Sequence, residues 1–379
     1  MSDLTNEQAA IRDLTREFVR KEIAPFAAAW DRTGTVPLDT VRKAGALGLF
    51  GVCVPPTLGG SGADFLSYIV MTEELAYGDA GVCNMISATN AFAWKLRDFG
   101  TPSQQERFLR PVASGAAIAC LMYTEPQAGS DAANQQTRAV RRGDRFVING
   151  TKSFITSGRS ADVGVLLAVT DPAAGKRGIS AFLVRTDQPG YRVVRVEDKL
   201  GHRTNDTCQI ALEDLEVPAD DMLGPPGHGL RIALAYLDTG RIGVAAQSVG
   251  VARAAFDAAL RYARERETFG KKLIEHQAIA FMLAEMATDL EAARRLALHA
   301  AALKQAGVRC IKEASMSKLF AAQMCERVCS AAIQIHGGYG FVSDYPVEKL
   351  YRDARVFQIY DGTNEVQKIL ISRELAAGA

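Results

Sequence analysis

The spacing of apolar residues changes character twice along the chain. Over residues 1–115 it is helical: Ile11, Leu14, Phe18 and Ile23 recur at three- to five-residue steps up to Pro25, and Thr5 with Gln8 forms a capping-box pattern. Further helices are predicted through Glu73-Glu74-Leu75 and Gln104-Gln105-Glu106, with a loop at Pro55-Pro56-Thr57-Leu58-Gly59-Gly60-Ser61-Gly62 between them. From about 116 to 225 short β-branched and aromatic runs take over: Val163 to Val169, Ile179 to Val184 and Tyr191 to Val196. Arg145 to Gly150 ends in Asn-Gly, which predicts a hairpin. No helical period separates these strands, so they predict an antiparallel sheet or small barrel, not a doubly wound nucleotide fold. From 226 to 379 the helical period returns in long Ala-rich segments, Leu230 to Arg266, Glu275 to Gly307 and Ala314 to Ile335. Gly240, Gly243 and Gly250 mark expected close helix contacts in a bundle. The expected fold class is α+β multidomain: an N-terminal helical domain (1–115), a central antiparallel β domain (116–225) and a C-terminal four-helix-bundle-like domain (226–379).

Composition narrows the function. Lys and Arg number 44 against 43 Asp and Glu, so no global field gathers nucleic acid or an anionic membrane. No apolar run approaches the roughly 20 residues that span a bilayer. The first thirty residues mix acids with bases, unlike a signal or transit peptide, and a cytoplasmic setting is expected. The seven cysteines form no Cys-x-x-Cys pair and are expected to be reduced core residues; the five histidines show no metal spacing, and no metal is expected. Gly59 to Gly62 lacks the Gly-Lys-Ser/Thr ending of a phosphate loop. No strand is followed by Gly-x-Gly-x-x-Gly, the nicotinamide fingerprint.

Five motifs carry chemistry. They are Leu121-Met122-Tyr123-Thr124-Glu125-Pro126-Gln127-Ala128-Gly129-Ser130-Asp131; Arg241 to Gln247; Tyr262 to Gly270, containing Arg266-Glu267-Thr268-Phe269-Gly270; Gln334-Ile335-His336-Gly337-Gly338-Tyr339-Gly340; and Tyr360-Asp361-Gly362-Thr363. In this order, on a helical–β–helical plan, the whole chain resembles the acyl-CoA dehydrogenase family. The resemblance implies FAD. A flavin needs donors at its pyrimidine edge and N5 and an apolar wall. It places Leu121, Tyr123, Thr124, Gly129, Ser130, Phe154, Ile155 and Thr156 about the ring, with Thr156 at N5 and Phe154 where Trp is frequent. On the diphosphate it implies Arg266, Thr268, Phe269 and Gln277 from one subunit, and Gln334, Gly337 and Gly338 from its neighbour. Thr363 and Glu365 match adenosine-side contacts. A shared cofactor makes oligomerisation part of function, and the resemblance suggests a homotetramer.

The implied reaction is α,β-dehydrogenation of an acyl thioester. A carboxylate removes the α-proton as the β-hydrogen leaves as hydride, and an electron-transfer flavoprotein reoxidises the cofactor. Asp361 stands at the position of the family's catalytic Glu, one methylene or roughly 1.5 Å shorter. Three explanations stay open: a different backbone or substrate, an altered and slower base, or different chemistry such as that of nitroalkane oxidases. Without the resemblance, Asp361 is an ordinary turn residue ahead of a helix. Gly240 excludes a carboxylate from the alternative family position before Arg241, and Gly240-Arg241 resembles the short-chain branch. Ser130, Asp238, Arg241, Tyr360 and Gly362 are the expected substrate-side residues, although Asp238 and Arg241 are equally an i,i+3 ion pair. A short- or branched-chain acyl-CoA is the leading substrate. An acyl-carrier-protein substrate, a flavin oxidase or monooxygenase, and a silent flavin-binding oligomer follow in that order.

Overall fold

The computed structural model describes residues 4–378, so the outermost limits expected above, 1 and 379, lie outside it. The predicted capping box closes the first helix, Asn6–Phe18: Thr5 Oγ1 accepts from the Gln8 amide and Gln8 Oε1 accepts from the Thr5 amide. Two helices, Phe65–Gly78 and Ala80–Phe99, form the centre of the N-terminal part. Asp79 separates them by capping the second, its Oδ1 accepting from Val82 N at 2.8 Å.

Eight strands form the middle sheet: β1 (Ala119–Met122), β2 (Arg138–Arg142), β3 (Arg145–Thr156), β4 (Val163–Val169), β5 (Ile179–Arg185), β6 (Tyr191–Val196), β7 (Thr207–Pro218) and β8 (Met222–Leu223). Their order is β6-β7-β3-β2-β4-β5-β8, with β1 beside β4. The antiparallel expectation holds for most pairs, but β1 runs parallel to β4. The segment from Tyr123 through the β2–β3 hairpin to Asp162 separates them, long enough for the crossover a parallel pair needs.

The Asn-Gly signal is corrected by the structure. The hairpin turns at Gly143-Asp144, where Gly143 has φ 63° and Arg142 pairs with Arg145. Asn149-Gly150 is instead a bulge inside β3, where the register against β7 jumps from Leu215 to Leu212. Asn149 and Asp214 exchange hydrogen bonds across it, and a Cβ on Gly150 would meet Thr137 Oγ1 at 2.5 Å.

The bundle is built on Leu237–Glu265, Gln277–Gln305 and Ile311–His336. The predicted segment from Leu230 breaks at Ala235-Tyr236, because the Tyr236 side chain is anchored to Trp94 O and Asp98 of the N-terminal part. Of the three glycines, Gly250 is the close helix contact, with a Cβ only 2.3 Å from Glu73 O. Gly240 faces Asp361 instead. Six cysteines are buried, Cys53 is half-buried, and all are unbridged. No helix among the described residues is long and apolar enough to cross a membrane.

A buried ionic cluster ties the three parts together. Lys349 Nζ lies 2.9 Å from Asp79 and 2.6 Å from Asp353, Asp353 accepts from His202 N, and Asp79 accepts from Thr204 Oγ1.

Candidate active site

The chain enters its last helix, Asn364–Ala376, through a left-handed turn: Asp361 has φ 51° and Gly362 φ 86°. Asp tolerates this region better than most side chains, and Gly362 is required, since a Cβ would also press on Gln367 Nε2 at 2.8 Å. Lys318 fixes the turn by donating to Gly362 O at 2.9 Å and Asn364 Oδ1 at 3.3 Å. Thr363, expected on the adenosine side, caps the helix by accepting from Val366 N. Glu365 is exposed in its first turn.

Protein surrounds Asp361 on all sides at longer range, yet the residue itself is open to space, as on the wall of a recess. Burial pushes its carboxyl above the ordinary aspartate range, while Lys318, Lys95 and Arg241 pull it back. Its Oδ2 would lie 3.5 Å from a Cβ at Gly240, so only the missing side chain there leaves the carboxylate room. Arg241 is buried and donates to Asp238 Oδ1 at 2.9 Å, the expected i,i+3 pair, but its buried Nε has no acceptor. Tyr360 OH donates to Gln247 at 2.5 Å, and Gln247 donates to Ser87. Asn84, on the same helix as Ser87, donates to Thr156 Oγ1 at 3.3 Å. Side-chain hydrogen bonds and that one helix therefore connect the terminal turn to the end of β3.

The loop after β1 is held from below by Glu125. It accepts from Lys152 Nζ and Gln136 N at 2.7 Å and from Thr137 N at 3.1 Å. These contacts, with burial opposing them, hold its carboxyl down at about 2. Lys152 pulls the other way: wholly buried with two acceptors, it loses more by desolvation than it regains, and falls to about 8. Glu125 stays ionised because its donors outnumber those acceptors. Leu121, Tyr123 and Thr124 are half-buried above this base, and Gly129 and Ser130 are exposed. Thr124 O accepts from Ser153 N, locking the loop to β3.

A bulge between Lys152 and Ile155 turns Phe154 out at φ 57°, 67% exposed, while Thr156 is half-buried. The Ile155 side chain is in the core, 1% exposed.

Arg266, Thr268, Gly337 and Gly338 line a second cleft of about 580 Å³ with Tyr262, His336 and Tyr339. Arg266 lies over the Tyr339 ring at 5.8 Å, and a Cβ on Gly337 or Gly338 would meet nothing within 4 Å. Beside it Phe269 and Phe341 are 97% and 87% exposed. Gln334 lines another cleft, of about 740 Å³, with Tyr351 and Gln358. Gln277 is exposed at the first residue of its helix.

Three domain families match in the order of these parts: the acyl-CoA dehydrogenase N-terminal domain over residues 5–116, middle domain over 120–215 and C-terminal domain over 227–376. The chain belongs to the acyl-CoA dehydrogenase family. It is 44% identical to the short-chain specific acyl-CoA dehydrogenase of Clostridium acetobutylicum, over 98% of this chain and 99% of the relative. It superposes on butyryl-CoA dehydrogenase from Megasphaera elsdenii with a TM-score of 0.96 at 41% identity, covering 99% of each chain. A chain from a structure described as the electron transferring flavoprotein of Acidaminococcus fermentans gives a TM-score of 0.97 at 44% identity, covering 98% of each.

Lys95 and Lys318 are the charged neighbours of Asp361 that reasoning from sequence missed. Lys95 is the one charge in the apolar run Ala91-Phe92-Ala93-Trp94-Lys95-Leu96, a signal that could have drawn attention to it. Lys318 sits in an ordinary mixed helix and carried none.

Proposed function

We infer that the protein is an FAD-dependent acyl-CoA dehydrogenase acting on short- or branched-chain acyl thioesters, with Asp361 as the base. The observation that carries this reading is Asp361 on its left-handed turn, against Gly240 and facing Lys318, Lys95 and Arg241. The residues present suit FAD. The open glycines and Arg266 offer a diphosphate backbone donors and a guanidinium, and exposed Phe154 offers a flavin ring an apolar face. When bound, the flavin would supply the acceptor for the β-hydrogen and its electron pair.

This chain's own residues do the rest. Asp361 takes the α-proton, and its raised affinity for protons brings it nearer the acidity of an activated thioester. Lys318 and Gln367, both donating to Gly362 O, hold the turn so that the carboxylate is preorganised. Thr124 and Thr156 would offer hydroxyls to the cofactor, with Asn84 donating to Thr156. Gly240 leaves space beside the base, consistent with a small acyl group. Relatives named for CoA thioesters favour a CoA carrier over a carrier protein and a dehydrogenase over an oxidase. An electron-transfer flavoprotein is the proposed oxidant of the reduced enzyme, and a homotetramer the proposed assembly.

Anaerobic titration of the FAD-loaded protein with butyryl-, isobutyryl- and isovaleryl-CoA is the test. Bleaching of the flavin band by at least one is expected, and no bleaching by any would sink the reading.

A further inference from the structure

Lys95 is 3% exposed in the middle of the Ala80–Phe99 helix, and long charged side chains are almost never so buried without a partner. Its ammonium donates to one acceptor, Ala91 O of the preceding turn, at 3.2 Å. No carboxylate lies within ion-pairing distance among the described residues; Asp361 is the charge that acts on it from further off. Two aromatic faces flank it, Tyr236 at 5.2 Å and Tyr123 at 5.8 Å. Tyr236 is fixed by hydrogen bonds to Trp94 O and Asp98.

Two further buried polar groups in this wall are unmatched: Tyr123 OH and Trp94 Nε1 have no hydrogen-bond partner. Trp94 is itself 3% exposed and packs edge-on against Tyr68 at 4.8 Å. The Tyr68 hydroxyl in turn lies 3.4 Å from where a Cβ at Gly243 would sit, one helical turn on from Gly240 beside Asp361. Trp94 thus packs toward the helix that carries Gly240, and Tyr123 lies against Lys95.

The charges are also unequal. Arg241 is paired with Asp238 although its buried Nε has no acceptor, and Lys318 is satisfied by two oxygens of the terminal turn. That leaves Lys95 and Asp361, and Asp361 is the group whose charge is neutralised when it takes the α-proton. A plain alkyl acyl group brings neither an acceptor nor a negative charge to this wall. Burial lowers the Lys95 ammonium to about 8, so it is still charged at neutral pH.

We propose that Lys95, with Tyr123, forms a subsite for an anionic group at the far end of the acyl chain, so that the preferred substrate is an ω-carboxyacyl thioester. The proposal rests on the acyl-CoA dehydrogenase reading and names its substrate class. The carboxylate accepts from the ammonium and the phenol, pairing the buried cation and leaving the α,β-carbons at Asp361.

The test uses the FAD-loaded protein and its Lys95→Met and Lys95→Arg variants. Binding of succinyl-, glutaryl- and adipyl-CoA is compared with butyryl- and hexanoyl-CoA by anaerobic calorimetry, and flavin bleaching is followed separately. The best carboxyacyl thioester is expected to bind at least tenfold tighter than the best alkyl one. Lys95→Met should remove that preference and Lys95→Arg should restore most of it. A wild-type preference for the alkyl thioesters would overturn the proposal. So would a Lys95→Met variant that weakens both classes equally while shifting only the pH profile, since Lys95 would then be a counter-ion for Asp361. Bleaching by butyryl-CoA without a carboxylate preference would leave the dehydrogenase reading standing and this proposal refuted. Absence of bleaching by every thioester would remove the dehydrogenase reading, while the calorimetric comparison still decides the subsite.

Discussion

Asp361 shows how a backbone conformation and a charge environment act on one carboxylate. Its left-handed φ is accessible to Asp at modest cost, and the following Gly362 continues the turn where a Cβ would clash. Replacing it by Asn keeps the shape and the turn but removes the proton acceptor. We expect Asp361→Asn to lower the rate of flavin reduction by about 10²- to 10⁴-fold with cofactor content unchanged, as measured by stopped-flow absorbance. The pH dependence follows from the direction of its shift. Because burial raises its pKa, the base is protonated over a wider acid range, and kcat/KM should fall on the acid side with a midpoint above the ordinary aspartate value of about 4. The same shift means that the folded state holds this proton more tightly than the unfolded chain. Asp361 therefore stabilises the fold only at low pH, and that contribution is lost as pH rises through its folded pKa. An acid limb at or below the ordinary value would contradict the burial of this group.

At the scale of elements, the loop after β1 keeps its form through one buried pair rather than through its glycines. Glu125 gathers two backbone amides and Lys152, tying the loop to β2 and β3. Lys152→Met leaves a buried carboxylate without its cation, and we expect a loss of about 3–5 kcal/mol in chemical denaturation. Glu125 has a depressed pKa, so its stabilisation is complete above its unfolded value of about 4.3 and disappears as pH falls toward about 2. Element types were largely legible in the sequence, since the helical and alternating periods report which face is buried. Two local signals misled. Asn149-Gly150 has turn chemistry, but its partner across the sheet, Asp214, makes it a bulge. The helix predicted from Leu230 breaks because Tyr236 finds acceptors on another part of the chain.

Across the whole molecule, the cluster of Lys349 with Asp79 and Asp353 joins the N-terminal helices to the C-terminal ones, and its hydrogen bonds from His202 and Thr204 reach the middle sheet. Groups from the N-terminal helices and the bundle meet around Asp361, so their arrangement depends on this junction. Lys349→Met leaves two buried carboxylates facing each other. We expect a loss of about 3–5 kcal/mol in urea unfolding and weaker FAD retention on gel filtration. A variant with unchanged stability would show that the three parts are held by their apolar core alone.

The sequence by itself determined the plan of helices, sheet and bundle, the order of the motifs, and the candidacy of Asp361, Arg266 and Thr156. The plan depends on periodicity and short-range turn chemistry, which a few adjacent residues encode, whereas those three candidates rest on the resemblance that the motifs carry. Only the tertiary structure decided which side chains meet. It gathered Arg266, Gly337 and Gly338 along one cleft, set the Ile155 side chain in the core, and buried Lys95 within the field of Asp361. Residues 95 and 361 are brought together by the packing of helices far apart in the chain, and burial, which makes an unpaired lysine costly, exists only once those helices have packed.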